Sequence, residues 1–508
     1  MPPRPGPGIA SAMPSSHPTL KLHPDDDAVV LLAGPRAGHR VALRDIPPGE
    51  VVRQYGQPAG VSRGIRAGQL IGPDQLEPEV PGSRALPDSF PPPPPPLPPA
   101  EHATFAGFRR PDGRAGTRNW VAVIPTSMCA ATEAARIAFR AEQELWRRDR
   151  HPSVDGVTAL VHDKGCGCSD GSNLEVTLRT LAHCAAHPNA GAVLFLDLGC
   201  EKTNLERMRA WLGDGATPLG WDKPVAWLSI QETGGTAAAV ARGLEQVEHL
   251  LAAAARAERE PIPAAELVLG LKCGGSDGLS GVTANPALGH AADLLVRQGG
   301  TALLTEVPEF VGAEHLLAAR AKDAATARAV YALVDWYHDY AAAFGARAAD
   351  NPSPGNLAGG LFNIALKSLG AIAKGGTTRV EGVTGYAEPP AGRGLQLMQG
   401  PGYDQMSTPG LVAAGAQIVA FTTGRGTTIG NALAPVVKIA SNTPVFERMR
   451  HDLDLDAGPV AAGAETIAEA GRRILDHLLR VASGEVPAKA EEAGHREFQI
   501  WPEQGVSL

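Results

Sequence analysis

The sequence predicts an α/β protein whose sheets are mostly parallel. Short apolar runs at residues 119–124, 156–161 and 192–198 alternate with longer helical segments. Alternation of this kind is typical of parallel sheets covered by helices on both faces. The length of 508 residues exceeds what one core needs and favours two to four domains. A proline tract at residues 91–99, interrupted by Leu97, marks the clearest boundary.

The proline tract separates a small module from the α/β part of the chain. Proline cannot donate a backbone hydrogen bond, so the tract is expected to be an extended segment of roughly 28 Å. Apolar runs at 28–32, 40–43 and 51–55, broken by glycine and proline, predict the strands of a small β module before it. A break at 258–263 indicates a further boundary. The predicted organisation is a disordered N-terminus (1–16), the β module (17–80), a proline-rich linker (81–104), a middle α/β domain (105–258) and a C-terminal α/β domain (259–508).

Composition argues for a small-molecule partner. The formal net charge is -8 and the pI is about 6.0, with no cluster of five or more Lys and Arg residues, which argues against a nucleic-acid or anionic-membrane surface. No apolar run approaches the roughly 18 residues of a membrane span, and the first 16 residues lack the apolar core of a signal peptide. A cytoplasmic location is therefore expected.

Polar residues follow several predicted strands, mostly beside glycine. They are His162 with Cys166, Cys200 with Glu201, Glu232, Cys273 with Ser276 and Asp277, and Glu306. Ligands of open α/β sheets bind beyond the carboxyl ends of the strands. The coincidence of these side chains with strand ends therefore predicts one shared polar site.

The cysteines suggest what that site binds. Six cysteines are too few for a disulfide scaffold, and Cys184, in an apolar helical pattern, is expected in the core. Cys166, Cys200 and Cys273 together with histidine favour iron or zinc over magnesium or calcium, which prefer oxygen ligands. If they converge from separate strands they leave an open, catalytic coordination position. An iron–sulfur cluster on these three cysteines is a competing form, and buried turn cysteines without metal are the remaining alternative.

Two polar loops and one lysine have further expected roles. The segment 273–286 is rich in glycine and hydroxyl groups and could cradle a substrate carboxylate, with Asn285 also suited to capping the following helix. The loop 422–428 offers the guanidinium of Arg425 for bidentate carboxylate binding. Lys367 is expected to be a solvated or snorkelling side chain rather than a catalytic one.

Several motifs, in one order, resemble the altronate and galactarate dehydratase family, to which the sulfolactate sulfo-lyases are also similar. The resemblance covers nearly everything from His23 onward except the proline linker. The motifs are GRAGTRN at 113–119, HDKGCG at 162–167, LGCE at 198–201, CGGSD at 273–277, NPSPGN at 351–356, KGGTT at 374–378 and FTTGRG at 421–426.

The resemblance implies an N-terminal β-clip module of the SAF type, two α/β domains, and a homodimer. It implies removal of water from a hexonate or aldarate to give a 2-keto-3-deoxy acid, with ferrous iron, or manganese as an alternative, assisting abstraction of the alpha proton. The site residues expected on this basis are His162, Lys272 and Asp277 as catalytic groups; Ser276, Asn285, Thr423 and Arg425 as substrate ligands; and His39, Cys166, Cys200 and Cys273 as metal ligands.

The chain also departs from the family it resembles. Family members often close the N-terminal module with a segment that contains histidine, whereas residues 68–72 here contain none. Besides altronate or galactarate dehydration, the alternatives are therefore a lyase that expels sulfite from sulfolactate, and an inactive homologue that binds sugar acids.

Overall fold

The structure is a computed structural model that describes residues 17–77, 84–213 and 223–501. The predicted disordered segment 1–16 lies outside the described residues, as do the end of the predicted module and the first three residues of the predicted linker. Within the described residues, no helix is long and apolar enough to cross a membrane.

The strands and helices alternate over most of the described chain. The strands are β1 (Thr19–Leu20), β2 (Ala28–Leu31), β3 (Arg40–Ala42), β4 (Val51–Gln54), β5 (Gln57–Val61), β6 (Thr104–Arg109), β7 (Ala115–Gly116), β8 (Trp120–Pro125), β9 (Gly156–Ala159), β10 (Ala190–Asp197), β11 (Val225–Ser229), β12 (Arg259–Pro263), β13 (Val268–Cys273), β14 (Thr301–Leu304), β15 (Val380–Thr384), β16 (Gly394–Met398), β17 (Ile418–Thr423), β18 (Val436–Ala440) and β19 (Leu455–Asp456). The α-helices are α1 (Ala131–Glu144), α2 (Ser172–Ala186), α3 (Leu205–Gly213), α4 (Ile230–Thr233), α5 (Thr236–Ala254), α6 (Ala284–Arg297), α7 (Glu314–Ala319), α8 (Ala324–Ala343), α9 (Pro354–Ala358), α10 (Ile364–Ala371), α11 (Asp404–Ala413), α12 (Thr443–Arg448), α13 (Gly458–Ala461), α14 (Ile467–Ala482) and α15 (Lys489–Glu492).

Two parallel sheets dominate the architecture and confirm the predicted α/β class. The larger has seven strands in the order β15-β16-β14-β13-β17-β18-β19, all parallel. The smaller has four parallel strands in the order β11-β10-β8-β9. The predicted strands at 119–124, 156–161 and 192–198 correspond to β8, β9 and β10.

The two sheets share one of the hydrophobic cores. Successive side chains of a strand point to opposite faces, and β14 illustrates this. Leu304 packs in a core with Leu288 of α6 and Ile474 of α14, whereas Leu303 packs in a second core that includes Ile124 of the four-stranded sheet. The middle and C-terminal parts of the chain are therefore joined by buried apolar surface.

The structure adds detail at two places where the sequence predicted a boundary or a cap. Residues 258–263, predicted as a boundary between domains, contain β12, which pairs antiparallel with β6. Asn285 lies in the first turn of α6 and does not cap it.

The N-terminal module packs on the C-terminal part of the chain. It consists of a three-stranded antiparallel sheet, β1-β2-β3, and the β4-β5 hairpin. The buried Arg40 donates from Nη1 to the carbonyl of Gly278 at 2.8 Å and from Nη2 to the hydroxyl of Tyr55 at 3.2 Å. The proline tract is also anchored, because the amide of Leu97 donates to the carbonyl of Arg297 at 3.0 Å.

Candidate active site

Polar side chains gather at the carboxyl end of the seven-stranded sheet, as the sequence predicts. Cys273 is the last residue of β13, Glu306 follows β14 by two residues, and Thr423 ends β17. These strands are neighbours in the sheet, so their ends meet at one edge.

A buried ionic network lies at this edge. The ammonium of Lys272 contacts the carboxylates of Glu306 and Asp404, the latter at 2.7 Å from Nζ to Oδ1. Lys374 donates to Oε2 of Glu306 at 2.8 Å and to Sγ of Cys273 at 2.6 Å. Lys272, Glu306, Lys374 and Cys273 are almost completely buried, whereas the side chain of Asp404 is 26% exposed. Asp404 is therefore the member that solvent or a ligand can reach.

A second layer of charges extends the network. Glu309 accepts from Lys367 at 2.9 Å and from the Cys273 thiol at 3.0 Å. Lys367 also donates to Oδ1 of Asn351 at 3.0 Å. The expectation that Lys367 is solvated is wrong, because its ammonium is paired in the interior with a carboxylate more than 50 residues away in sequence.

The network sets the protonation of its members. Burial alone would discharge Lys272, but the carboxylates of Asp404 and Glu306 raise its pKa. Burial would also lower the pKa of Lys374, but the neighbouring Cys273 and Glu306 outweigh burial and raise it. Burial and the neighbouring Glu309 raise the pKa of Glu306, whereas Lys367 and Lys374 overcome burial and lower that of Glu309 to about 2. Burial, followed by both carboxylates, raises the pKa of the Cys273 thiol.

The backbone at Glu306 is held in an unusual conformation. Its φ is 76° and its ψ is 58°, the left-handed region that residues other than glycine rarely adopt. This conformation costs about 1–3 kcal/mol and persists where surrounding contacts fix it. Here both carboxylate oxygens are bonded, Oε1 by Lys272 and Oε2 by Lys374 and the amide of Cys273.

Three of the residues predicted to bind substrate are buried and bonded to protein. The carbonyl of Ser276 accepts from Nδ2 of Asn356 at 2.8 Å. Asn285 donates to the carbonyl of Gly370 at 2.9 Å and accepts from Thr422 at 2.6 Å, while the hydroxyl of Thr423 accepts the amide of Gly426 at 3.0 Å. Their predicted role remains a prediction, and their observed contacts hold the site loops in place.

Asp277 is similarly engaged. Its Oδ1 accepts from the amide and hydroxyl of Ser280, both at 2.8 Å, and from the hydroxyl of Ser441 at 2.9 Å. Its Oδ2 accepts from Nδ2 of Asn442 at 3.0 Å. The carboxylate thus ties the loop after β13 to the end of β18, and a catalytic role would require some of these donors to leave.

Arg425 is the predicted substrate ligand that the structure leaves exposed. Its amide donates to the carbonyl of Gly275 at 2.9 Å, which places it beside the loop after Cys273. Its guanidinium has no hydrogen-bond partner among residues 17–77, 84–213 and 223–501. The side chain is therefore available to a carboxylate at the same edge as Asp404.

The thiols of Cys166 and Cys200 lie at a different edge from Cys273. They follow β9 and β10, and so belong to the carboxyl end of the four-stranded sheet. Both are exposed, whereas Cys273 is buried. Cys166, Cys200 and Cys273 are therefore contributed by two different sheets and do not form one group with the spacing of a metal site, and a site that they share stays a prediction.

His162 lies near this second edge with both ring nitrogens bonded to the main chain. Nε2 donates to the carbonyl of Pro125 at 2.8 Å, and Nδ1 accepts the amide of Lys164 at 3.2 Å. Burial lowers the pKa of His162 to about 4. The ring is therefore neutral, and service as a base or metal ligand would require one of these bonds to break.

His39 lies in the N-terminal module, one residue before Arg40, which donates to the carbonyl of Gly278 in the loop after β13. It is half-buried in the N-terminal module, and its Nδ1 bonds the carbonyl of Arg36 at 3.1 Å. Together with Arg36 and Arg66 it lines a cleft of about 810 Å³ between the module and residues 357–362. No other predicted metal ligand lines this cleft.

One group of residues has the spacing of a metal site. Sγ of Cys273 and a carboxylate oxygen of Glu306 and of Glu309 lie within 4.8 Å of one another, and among the described residues this is the one such group. Each of these atoms, however, already has a lysine ammonium nearby, including Lys374 at 2.6 Å from the thiol.

Several site residues were not assigned a role from the sequence. Glu309, Lys374 and Asp404 join the network from segments between 36 and 131 residues away from Cys273, a separation that no local pattern reveals. Cys129 lies four residues after the end of β8, at the same edge as Cys166 and Cys200. The strand-end rule could have found it, but no glycine flanks it.

The middle and C-terminal parts of the chain both match known family models. Residues 107–255 match the second domain of D-galactarate dehydratase/altronate hydrolase. Residues 264–506 match the C-terminal domain of D-galactarate/altronate dehydratase. The two matches fall on either side of β12.

Curated relatives match most of the chain. Altronate dehydratase from Bacillus subtilis is 37% identical over 475 residues, which cover 93% of this chain and 92% of the relative. Galactarate dehydratase (L-threo-forming) from Escherichia coli is 36% identical over 480 residues, covering 94% and 91%. The (2R)-sulfolactate sulfo-lyase subunit beta of Chromohalobacter salexigens is 34% identical over 405 residues, covering 78% and 97%. The chain therefore belongs to the D-galactarate/altronate dehydratase family and is a lyase of the sugar-acid dehydratase type.

Proposed function

We propose that the chain removes water from a hexonate or aldarate, such as altronate or galactarate, to give a 2-keto-3-deoxy acid. The observation that carries this proposal is the Lys272–Asp404 pair at the carboxyl end of the seven-stranded sheet. It joins a buried ammonium to a carboxylate that remains reachable from outside. Arg425, exposed beside it, supplies a binding group for the substrate carboxylate.

The chemistry requires a base, a source of positive charge and an acid. A proton alpha to a carboxylate is weakly acidic, so the negative charge that develops on its removal must be stabilised. Lys272 and Lys374 are held charged by their carboxylate partners and can supply that stabilisation. Asp404 is assigned as the base, because it is the carboxylate bonded to Lys272 that is partly exposed.

The Lys272–Asp404 pair also accounts for both proton transfers of the reaction. Asp404 takes the alpha proton while the Lys272 ammonium gives a proton to the departing 3-hydroxyl, which leaves as water. The protonated carboxyl and the neutral amine then restore the starting state by a proton transfer across their 2.7 Å contact. The enol product rearranges to the 2-keto acid.

A metal ion is not assigned a step in this reaction. Cys273, Glu306 and Glu309 are close enough for one ion, but lysine ammoniums already neutralise both carboxylates and one of them bonds the thiol. A ferrous or manganese ion would have to displace Lys374, so these residues do not fit the ion in their present arrangement. Iron remains an expectation drawn from the family resemblance.

We also propose assignments for the fold of the N-terminal module and for the assembly of the chain. We infer that the N-terminal module is a β-clip of the SAF type, since it is built of two small antiparallel sheets that pack beside the site loop through Arg40 and Gly278. We infer a homodimer in a cytoplasmic setting. The exposed apolar side chains of Met128, Phe139 and Val161, on the middle domain, support a contact between chains there.

The experiment is anaerobic turnover of altronate, galactarate and sulfolactate, with and without ferrous iron, measuring keto acid and sulfite separately. Keto acid from a sugar acid without sulfite supports the proposal and names the substrate. Sulfite from sulfolactate would assign the reaction of the sulfo-lyase relative instead. Thermal stabilisation by a sugar acid without any product would show that the chain binds its ligand without reacting.

A further inference from the structure

Three neighbouring strands of the four-stranded sheet end in loops that each carry a cysteine. Cys129 follows β8, Cys166 follows β9 and Cys200 follows β10. These strands are adjacent in the order β10-β8-β9, so the three loops emerge side by side. All three thiols are exposed and none is in a disulfide. The sheet therefore gathers three free thiols that the proposed dehydration does not use.

The loops are fastened to one another beside the thiols. The amide of Met128 donates to the carbonyl of Lys164 at 2.8 Å, joining the first loop to the second. Gly165, with φ 103°, packs so closely that a Cβ there would meet the carbonyl oxygen of Thr126 at 2.5 Å. Only glycine fits this approach, so the contact between the two loops is part of the fold.

Glu201 fastens the third loop to the first. Its Oε1 accepts from the hydroxyls of Thr126 at 3.0 Å and Ser127 at 2.9 Å, and from the amide of Leu198. Its Oε2 accepts from the amide of Gly199 at 2.8 Å. This carboxylate is saturated by protein donors, so it orders the loops and leaves the thiols as the available metal-binding groups.

One direct contact joins two of the thiols. Cys129 is hydrogen-bonded to Cys166, and Cys200 and Glu201 lie near enough to Cys166 to interact with it electrostatically. Nε2 of Gln231 reaches Sγ of Cys200 at 3.5 Å. The fourth cysteine nearby, Cys168, turns away and donates to the carbonyl of Gly165 at 3.3 Å.

The donor set indicates a soft metal, and the spacing of the three thiols is too wide for a single ion. Thiol donors select zinc, copper(I) or iron–sulfur clusters. One tetrahedral ion with bonds of about 2.3 Å would bring the sulfurs to about 3.8 Å from one another. The three thiols do not meet even a 4.8 Å limit, which among the described residues is met only around Cys273. A cluster tolerates the wider spacing because each thiolate binds a different iron.

We propose that Cys129, Cys166 and Cys200 hold a [4Fe–4S] cluster through three thiolates. The fourth thiol nearby, that of Cys168, is directed to the carbonyl of Gly165, so one iron keeps a position open to a hydroxyl or carboxylate ligand.

The test measures iron, acid-labile sulfide and visible absorption of the full chain, purified without oxygen and reconstituted with iron and sulfide under a reductant. About four irons and four sulfides per chain are expected. C129S, C166S and C200S should each lose most of both, with the broad visible absorption. C168S is the matched control, from the same loop, and should keep the wild-type content.

A second readout guards against misfolding of the variants. Reconstituted wild-type protein should protect Cys129, Cys166 and Cys200 from alkylation by iodoacetamide, as mapped by mass spectrometry, while Cys168 reacts as in the apoprotein. Zinc or iron bound without sulfide would overturn the proposal. So would loss of the cluster in C273S with retention in the three variants. Neither readout uses a substrate, so failure here and failure of the proposed dehydration are separable.

Discussion

The carboxyl ends of the two parallel sheets occupy the same topological position and carry different chemistry. At the seven-stranded sheet, Lys272, Glu306 and Lys374 are buried and bonded to one another. At the four-stranded sheet, Cys166 and Cys200 are exposed and free of disulfides. Topology thus locates both proposed sites, whereas the surrounding groups decide whether proton transfer or soft-metal binding is proposed for each.

Burial explains why the charged residues at the seven-stranded sheet need oppositely charged partners, whereas the exposed thiols at the four-stranded sheet do not. Taking a charge out of water costs several kcal/mol, which pairing must offset. In the ionic network each buried charge is therefore paired with an opposite one. Removing one member leaves its partner buried without a counter-charge, which costs desolvation energy. The three thiols at the other edge are exposed and take no part in a buried ion pair, so the metal-free fold should tolerate the loss of any one of them.

The largest expected effect comes from a substitution that breaks the ionic network. Lys374→Met leaves the buried carboxylate of Glu306 without one of its two ammonium partners, and should lower the free energy of unfolding by about 3–5 kcal/mol and abolish turnover. Urea denaturation measures the first and keto-acid formation the second. Lys322→Met, at an exposed lysine, is the control. A change within about 0.5 kcal/mol would show that the network is not a unit.

The next effect separates catalysis from stability within that network. Asp404→Asn keeps the shape of the side chain but removes the proposed base, so kcat should fall by about 10²–10⁴-fold. The loss of unfolding free energy should be smaller than for Lys374→Met, because Asp404 is partly solvated. Asp350→Asn, at an exposed carboxylate, should leave kcat unchanged. Wild-type kcat in Asp404→Asn would remove Asp404 from the mechanism.

A third effect sharpens the comparison through pH. The pKa of His162 is about 4 in the folded chain, below its ordinary value of 6.5, so its contribution to stability is present above pH 6.5. It is lost as the pH falls from 6.5 to about 4, by about 3 kcal/mol in total. His162→Asn should remove this part of the pH dependence in urea denaturation. His338→Asn, at an exposed histidine, should not; identical slopes in both variants would contradict the expected burial of a neutral ring.

The smallest effect concerns substrate binding. Arg425→Met removes an exposed guanidinium that bonds no other residue in the described part of the chain, so KM for the sugar acid should rise about tenfold with kcat little changed. Initial rates over a range of substrate concentrations measure both. Arg448→Met, nearby in sequence and exposed, is the control. A fall in kcat at constant KM would instead place Arg425 in the chemical step.

Local patterns predicted the strands and the polar residues at their ends, because both the length of an apolar run and the glycines that bound it can be recognised from adjacent residues. They did not predict which sheet each strand joins. Cys273 was therefore grouped with Cys166 and Cys200, although β13 pairs with β14 and β17 in another sheet. The ionic network was invisible for a related reason, since Lys272 meets Asp404 across 132 residues. Lys367 was misjudged because its burial depends on that same distant packing.

The N-terminal module packs on the C-terminal part of the chain through contacts that do not require an intact linker. Arg40 reaches the site loop at Gly278, and the proline tract is held to the body by Leu97. The surfaces that unite module and body are thus complete without the peptide between them. A chain nicked between residues 84 and 96 should accordingly elute as one particle, and the two pieces, made as separate polypeptides, should find each other and assemble.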